Sequence, residues 1–255
     1  MTEIPRILHQ VWFGGEAQIP PVYRAYHDGW RRLHPGWTFR LWDAASTRAL
    51  VAEHYPEYLA LYDGYPHRIQ RIDACRYFLL HLLGGVYADL DVECLKPIDE
   101  LLAGLDFFIS KPWACTNAVM GSAPGHRLWP QVFAALVARR ARPPFRFPAF
   151  YTLSRDYYVG YSTGPLMITA VCAAAGIDRD PRARCYPGYV FEPGVPFRGA
   201  DGRPVQDWDT ARSHAIHHMD MHWLSWPNRL FSRLRNRLSR RRARRPTPAT
   251  PDGAG

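Results

Sequence analysis

The fold is decided by the stretch Gly84–Asp91, which reads GGVYADLD. Paired glycines commonly end a helix because glycine accepts the left-handed backbone conformation. The apolar residues that follow predict a buried strand, extending from Val86 to Val92. Ligands of open α/β sheets collect at the carboxyl ends of the strands, and residues i and i+2 of a strand point to one face. The stretch therefore predicts that Asp89 and Asp91 emerge together at a sheet edge.

Two convergent carboxylates suit a hard divalent cation, Mg²⁺ or Mn²⁺. Such an ion bridges a pyrophosphate and neutralises the charge that builds on a leaving nucleoside diphosphate. A lone Asp-x-Asp triplet also occurs by chance in solvated turns. The apolar strand and the glycines before Asp89 and Asp91 favour the functional interpretation.

Upstream, apolar residues spaced three and four apart predict a helix from about His67 to Leu83. Asp73 and Arg76 lie one turn apart on it, where a surface ion pair would be worth ~0.2–0.5 kcal/mol. Arg76, however, falls within the apolar face of this helix. A buried guanidinium needs a partner, either Asp73 or a phosphate of a ligand.

Further strands and helices alternate along the chain. We predict strands at residues 6–13, 37–42, 107–110 and 215–218, and helices at residues 20–33, 125–140 and 163–175. This alternation predicts a three-layer α/β fold with a mostly parallel sheet.

The segment from Ile216 to Trp223 contains three histidines, His217, His218 and His222. A single histidine in an apolar segment is more often structural than a metal ligand. Three within six residues favour a functional role, since a neutral imidazole can add a ligand to Mn²⁺.

Four segments, in order, resemble the DXD-motif glycosyltransferases of the Och1-like family, to which clostridial toxin glucosyltransferase domains are distantly similar. They are Ile4–Gly15 (IPRILHQVWFGG), Asp73–Leu80 (DACRYFLL), Gly84–Asp91 followed by Lys96-Pro97, and Ala215–Trp223 (AIHHMDMHW). The resemblance implies a GT-A fold, a single Rossmann-like domain that we bound at residues 1–227.

The resemblance also implies roles for individual residues. Trp12 would stack on the nucleotide base, and Asp73 and Arg76 would hold the transferred sugar and the phosphates. Asp89 would contact ribose and sugar hydroxyls, while Asp91 would bind the metal ion.

Further residues are placed by the same resemblance. It adds His9, Tyr87 and Asn117 to the donor-binding residues, His217 to the metal ligands, and Thr163, Gly164 and Trp223 to the vicinity of the sugar or acceptor. Because Met219, Met221 and His222 depart from the family's closing pattern, His218 and His222 stay open as alternative metal ligands.

The basic charge of the chain is concentrated at one end. The formal net charge is +9, and residues 228–255, with nine Arg and one Asp, carry +8 of it. The body is therefore nearly neutral, which argues against a nucleic-acid-binding protein.

An apolar stripe flanked by arginines predicts a basic amphipathic helix at residues 228–245, lying on an anionic membrane surface. The alternative is a solvated tail, as we predict for residues 246–255.

The residues and the resemblance together predict a metal-dependent hexosyltransferase that uses a UDP- or GDP-sugar, of the kind involved in polysaccharide biosynthesis. The resemblance implies that the transfer retains the anomeric configuration. The acceptor would be a glycan, a lipid-linked molecule or a small molecule. A metal-dependent nucleotidyltransferase or nucleotide-sugar pyrophosphatase is the alternative, although no glycine-rich phosphate loop with a lysine supports it. The chain opens without a signal-peptide pattern, so we expect a cytoplasmic protein, with peripheral attachment to the inner face of the membrane left open.

Overall fold

The computed structural model describes residues 3–141, 155–195, 197–198, 204–205 and 210–220. The elements below lie in one compact unit, Met1–Met219. Its helices are α1 (Pro21–Leu33), α2 (Ala44–His54), α3 (Pro56–Asp63), α4 (Arg68–Leu83), α5 (Asp99–Leu102), α6 (Trp129–Ala138), α7 (Arg155–Ser162) and α8 (Pro165–Ala174). Its strands are β1 (Ile7–Val11), β2 (Thr38–Trp42), β3 (Gly85–Ala88), β4 (Val92–Cys94), β5 (Phe107–Ser110), β6 (Thr116–Ser122), β7 (Ala183–Tyr186), β8 (Phe197–Arg198), β9 (Pro204–Val205) and β10 (Ala215–His217).

The central sheet has six strands in the order β2-β1-β3-β6-β5-β7. Strand β1 runs parallel to β2 and β3, and β7 runs parallel to β5, whereas β6 is antiparallel to both of its neighbours. The sheet is therefore mixed but mostly parallel, and the predicted α/β fold is confirmed. Strands β6 and β7 were not predicted. The sequence of β6, TNAVMGS, mixes small and polar residues without the alternation that marks a strand.

Successive side chains of β3 point to opposite faces of the sheet and pack into two hydrophobic cores, one on each face. Val86 and Ala88 of β3 pack into the core that contains Trp30 of α1, while Tyr87 joins the core that contains Leu79 of α4. This alternation follows from the two-residue period of a strand. Helices thus cover both faces, which gives the predicted three layers.

The two glycines between α4 and β3 are required by the backbone and by packing. Gly84 and Gly85 have φ values of 64° and 96°, in the region that side chains disfavour. A Cβ on Gly84 would lie 2.6 Å from Pro124, and one on Gly85 would lie 2.6 Å from the carbonyl oxygen of Ile7. The chain can therefore reverse tightly from α4 into the centre of the sheet, as the sequence predicted.

The predicted extension of this strand to Val92 is wrong. Strand β3 ends at Ala88 and a turn spans the next three residues, closed by a 3.0 Å hydrogen bond from Val92 N to Asp89 O. Leu90, in the middle of the turn, is buried with Ile19 and Tyr23. The Asp-x-Asp motif is therefore a turn anchored by its central leucine.

Two predicted helices also begin later than expected, at Trp129 and Pro165. The proposed amphipathic helix and tail, residues 228–255, lie outside the described residues. In the described part of the chain, every helix is too short or too polar to cross a bilayer.

Candidate active site

The Asp-x-Asp turn meets the C-terminal strand of the described chain. Strand β10 pairs antiparallel with β4, which places His217 opposite Val92, and His218 N donates a 3.0 Å hydrogen bond to Asp91 O. One ligand atom each from Asp89, Asp91 and His217 lies within 4.8 Å of the others. Two carboxylates and an imidazole in this arrangement fit a divalent cation such as Mn²⁺ or Mg²⁺.

His217 lies in a strongly negative environment. Its Nε2 is 3.5 Å from Asp91 Oδ1. Burial lowers the pKa of His217, but the carboxylates of Asp91, Glu192 and Asp89 outweigh burial and raise the pKa to about 9. The field that favours a proton on this imidazole also favours a metal cation beside it, which would displace that proton.

Behind Asp89 lies a buried network of charges centred on Arg76. The Arg76 Nη2 is 3.0 Å from Asp73 Oδ1 and 3.3 Å from Asp89 Oδ1, and Nη1 donates to the carbonyl oxygen of Asn117. The guanidinium also lies over the ring of Tyr87, 4.4 Å from its centroid. The inward-facing Arg76 thus finds the partner predicted from its helix, Asp73, and a second one in Asp89.

Asp73 is satisfied on both of its oxygens. It accepts 2.9 Å hydrogen bonds from Asn117 Nδ2 at Oδ1 and from Thr163 Oγ1 at Oδ2. Burial raises the pKa of Asp73 to about 6, although the charge of Arg76 opposes this. The hydroxyl of Tyr77 donates to Thr163 O at 2.7 Å. These bonds tie α4 to β6 and to the turn before α8.

Gly164 follows Thr163 in that turn. A Cβ there would lie 3.1 Å from Gly160 Cα and 3.6 Å from Asp73 Oδ2. The structure therefore brings Asn117, Thr163 and Gly164 together around Asp73, and their predicted contacts with the sugar or acceptor stay predictions.

Tyr87 acts on Asp89 from within the core. It is fully buried, and its hydroxyl donates a 2.7 Å hydrogen bond to Asp89 Oδ1. Burial raises the pKa of this hydroxyl well above its ordinary value, so it remains a donor at neutral pH. The structure thus makes Tyr87 a support for Asp89, and its predicted contact with the donor stays a prediction.

His9, also predicted to bind the donor, is engaged within the sheet. Its Nε2 donates to Gly84 O at 2.9 Å, and its Nδ1 accepts from Trp42 Nε1 at 3.2 Å. Burial lowers the pKa of His9 to about 4, so the ring is neutral at physiological pH. With both nitrogens occupied, His9 links β1 to its neighbours and has no ring nitrogen left for a ligand.

Trp12 lies beside the Asp-x-Asp turn. It is partly buried against Leu90, its Nε1 donates to Gln18 O at 3.2 Å, and its ring meets Tyr23 edge-on at 5.8 Å. This position suits a base-stacking residue, and that role stays a prediction.

The structure separates the adjacent histidines of β10 and its C-terminal flank. His218 Nε2 is 2.9 Å from Glu93 Oε2, and its ring stacks on Tyr26 at 4.7 Å. Of the two described candidates, only His217 belongs to the Asp89–Asp91 cluster. His222 and Trp223 lie outside the described residues.

Sequence analysis missed one residue of the site, Glu192. Its side chain is buried, and Oε1 accepts a hydrogen bond from Thr116 Oγ1. Burial raises the pKa of Glu192, while the nearby charge of His217 opposes this. No motif in the surrounding sequence, Phe191-Glu192-Pro193, could have identified it; only the approach of β10 reveals it.

The fold defines the structural class of the protein, which is the GT-A fold. The ligand-free glycosyltransferase domain of the YGT toxin matches with a TM-score of 0.57 at 10% identity, covering 73% of this chain and 80% of that domain. The PaToxG glycosyltransferase matches with a TM-score of 0.51 at 13% identity, covering 69% of this chain and 72% of its own. These likenesses confirm the predicted fold.

Residues 20–108 match the family described as the glycosyltransferase sugar-binding region containing the DXD motif. Inositol phosphoceramide mannosyltransferase 3 of Schizosaccharomyces pombe is 37% identical over 67% of this chain and 45% of its own length. A mannosyl phosphorylinositol ceramide synthase of Saccharomyces cerevisiae is 34% identical over 66% of this chain and 41% of its own length. The chain thus spans about half the length of the curated relatives it matches. The predicted resemblance to DXD-motif glycosyltransferases is confirmed.

Proposed function

We propose that this protein transfers a hexose, mannose in the first instance, from a nucleoside-diphosphate sugar with retention of configuration. The observation that carries the proposal is the cluster of Asp89, Asp91 and His217, set against the buried Asp73–Arg76 pair. Its three ligand atoms lie within 4.8 Å of one another, close enough to bind one divalent cation.

When bound, the cation neutralises the charge that develops on the departing diphosphate. The protein's own residues keep the ligands in place. Arg76 and the hydroxyl of Tyr87 both contact Asp89, so this carboxylate is fixed before the donor arrives. Preorganisation of this kind avoids the cost of reorienting charged groups during the reaction.

The buried half of the site offers contacts for the sugar. Asp73, Asn117 and Thr163 form one hydrogen-bonded group next to Arg76. Carboxylate and amide groups bind sugar hydroxyls in pairs, and their fixed geometry discriminates between hydroxyl configurations. We therefore assign these residues to recognition of the transferred sugar.

The names of the relatives support the choice of sugar and suggest the acceptor. Both relatives described above are named for mannosyl transfer to an inositol-phosphate ceramide. We infer an acceptor that carries an inositol-phosphate headgroup on a lipid. The tail at residues 228–245 would hold the enzyme near such an acceptor, and this membrane role, like the cytoplasmic location, stays a prediction.

The test is a donor screen with the full-length protein and Mn²⁺, comparing GDP-mannose with GDP-fucose and UDP-glucose. We expect release of the nucleoside diphosphate to be fastest from GDP-mannose, to increase when an inositol-phosphate lipid is added, and to stop with EDTA. Release of GMP in place of GDP would identify a pyrophosphatase instead. Cleavage that continues unchanged in EDTA would overturn the proposed role of the cation.

A further inference from the structure

A buried carboxylate lies behind the proposed cation site. Glu192 is 1% exposed, although carboxylates are almost never fully buried unless they are paired. Thr116 Oγ1 donates to its Oε1. Its second oxygen, Oε2, makes no hydrogen bond of good geometry in the described part of the protein, although the equally unpaired hydroxyl of Ser110 is near enough to lower the pKa of Glu192. Glu192 is thus a costly buried carboxylate whose second oxygen lacks a well-formed hydrogen bond.

Besides the Ser110 hydroxyl, a second candidate donor for this oxygen lies on β10. The Nδ1 atom of His217 is also buried and also makes no hydrogen bond within the described chain. The backbone brings the two residues together, because His217 N donates a 3.1 Å hydrogen bond to the carbonyl oxygen of Phe191, the residue before Glu192. The charges of Glu192 and His217 act on each other.

The two nitrogens of His217 therefore face different groups. Nε2 lies on the side of Asp91 and the cation cluster, which leaves Nδ1 for the protein. A histidine that binds a metal almost always donates its other N–H to a carboxylate, a carbonyl or water, and this bond fixes the tautomer and the ring orientation.

We propose that Glu192 is the positioning residue of His217: when a cation is bound, Glu192 Oε2 accepts the hydrogen bond from His217 Nδ1 and keeps Nε2 directed at the ion. This inference rests on the proposed cation site and goes beyond it. It explains why a carboxylate is buried at this point, and why two unpaired polar atoms of opposite kind lie on adjoining elements.

The first test measures Mn²⁺ affinity of the full chain by the electron paramagnetic resonance signal of free Mn²⁺, with GDP present. Glu192→Gln preserves the shape of the side chain and removes its charge. We expect its affinity to fall about 10- to 100-fold, the usual effect of losing such a partner. Glu93→Gln is the matched control, since Glu93 pairs with His218 outside the cluster, and its affinity should stay within about twofold of wild type.

A double-mutant cycle shows whether Glu192 acts through the histidine. In a His217→Ala background, Glu192→Gln should cause no further loss of Mn²⁺ affinity. An equal loss in both backgrounds would overturn the proposal, because Glu192 would then act on the ion directly. Wild-type affinity in Glu192→Gln, with a lower melting temperature, would also overturn it and leave Glu192 as a support for Thr116.

A spectroscopic readout needs no variant and covers the case in which Glu192→Gln does not fold. In the ¹H–¹⁵N spectrum of wild-type protein with Zn²⁺, His217 should carry its proton on Nδ1, with Nε2 bound to the metal. The opposite tautomer would overturn the proposal. If the wild-type protein binds neither Mn²⁺ nor Zn²⁺, the proposed cation site is wrong, and with it the role of Glu192. If the wild-type protein and Glu192→Gln bind the metal equally tightly, the cation site stands and only the role of Glu192 is wrong.

Discussion

The two halves of the candidate site balance their charges in different ways. In the cation half, the side chains of Asp89 and Asp91 are 27% and 16% exposed, and three acidic or imidazole ligands face one another. In the buried half, Asp73 and Arg76 are 5% and 2% exposed and neutralise each other directly. The cation half therefore favours an added positive charge, whereas the charges of Asp73 and Arg76 in the buried half compensate each other.

This difference predicts that substitutions in the cation half mainly affect activity, whereas substitutions in the buried half mainly affect stability. Groups that need an external cation add little to folding, and their removal is felt when the cation and donor bind. Groups that compensate each other in the core are strongly destabilising when one is removed, because the other is left as an uncompensated buried charge. Asp89 belongs to both halves, since it contacts Arg76 and lies within the cation cluster.

The largest effect on stability should come from the buried half. Arg76→Met removes the guanidinium and leaves Asp73 without its charged partner, so we expect a loss of about 3–5 kcal/mol of unfolding free energy in urea. Arg48→Met is the control, because Arg48 forms an exposed pair with Asp63 at 2.7 Å. That change should cost at most about 1 kcal/mol. If Arg76→Met and Arg48→Met unfold at the same urea concentration, the buried half contributes no more to stability than an exposed ion pair does, and the proposed difference between the halves is wrong.

Asp91→Asn should affect turnover and not the fold. The amide keeps the shape of the side chain but loses the charge that holds the cation. We expect kcat/KM to fall about 10²- to 10³-fold, with a melting temperature near that of wild type. Steady-state kinetics with Mn²⁺ and differential scanning calorimetry check the two parts. Full activity of Asp91→Asn in metal-free buffer would contradict the cation site.

The smallest effect should come from Trp12, at the margin of the cation half. Trp12→Phe retains a smaller aromatic face, so we expect the donor KM to rise about two- to tenfold, the value of one stacked ring pair. Stability should change little, because Trp12 is only partly buried. A large fall in melting temperature with an unchanged KM would mean that Trp12 serves the core and not the nucleotide.

The sequence alone determined the features that depend on neighbouring residues. The α4 helix and the glycine reversal were predicted, because helix periodicity and left-handed glycine act over a few residues. The Asp-x-Asp motif was identified as well, although as part of a strand and not as the turn that follows β3. The pairing of Asp73 with Arg76 was also open to prediction, since one helical turn separates the two residues.

Only the tertiary structure decided which groups complete the site. The choice of His217 over His218 follows from the pairing of β10 with β4, more than a hundred residues apart in sequence. The hydrogen bonds of Glu192 and His9 likewise join elements that are distant in sequence. Hydrogen bonds of this kind must be satisfied wherever the chain brings polar groups out of water. Partners so distant leave no local pattern. The sequence therefore offers candidate ligands for a cation, while the packing of β10 and the Phe191–Glu192 segment determines which of them meet and how they are held.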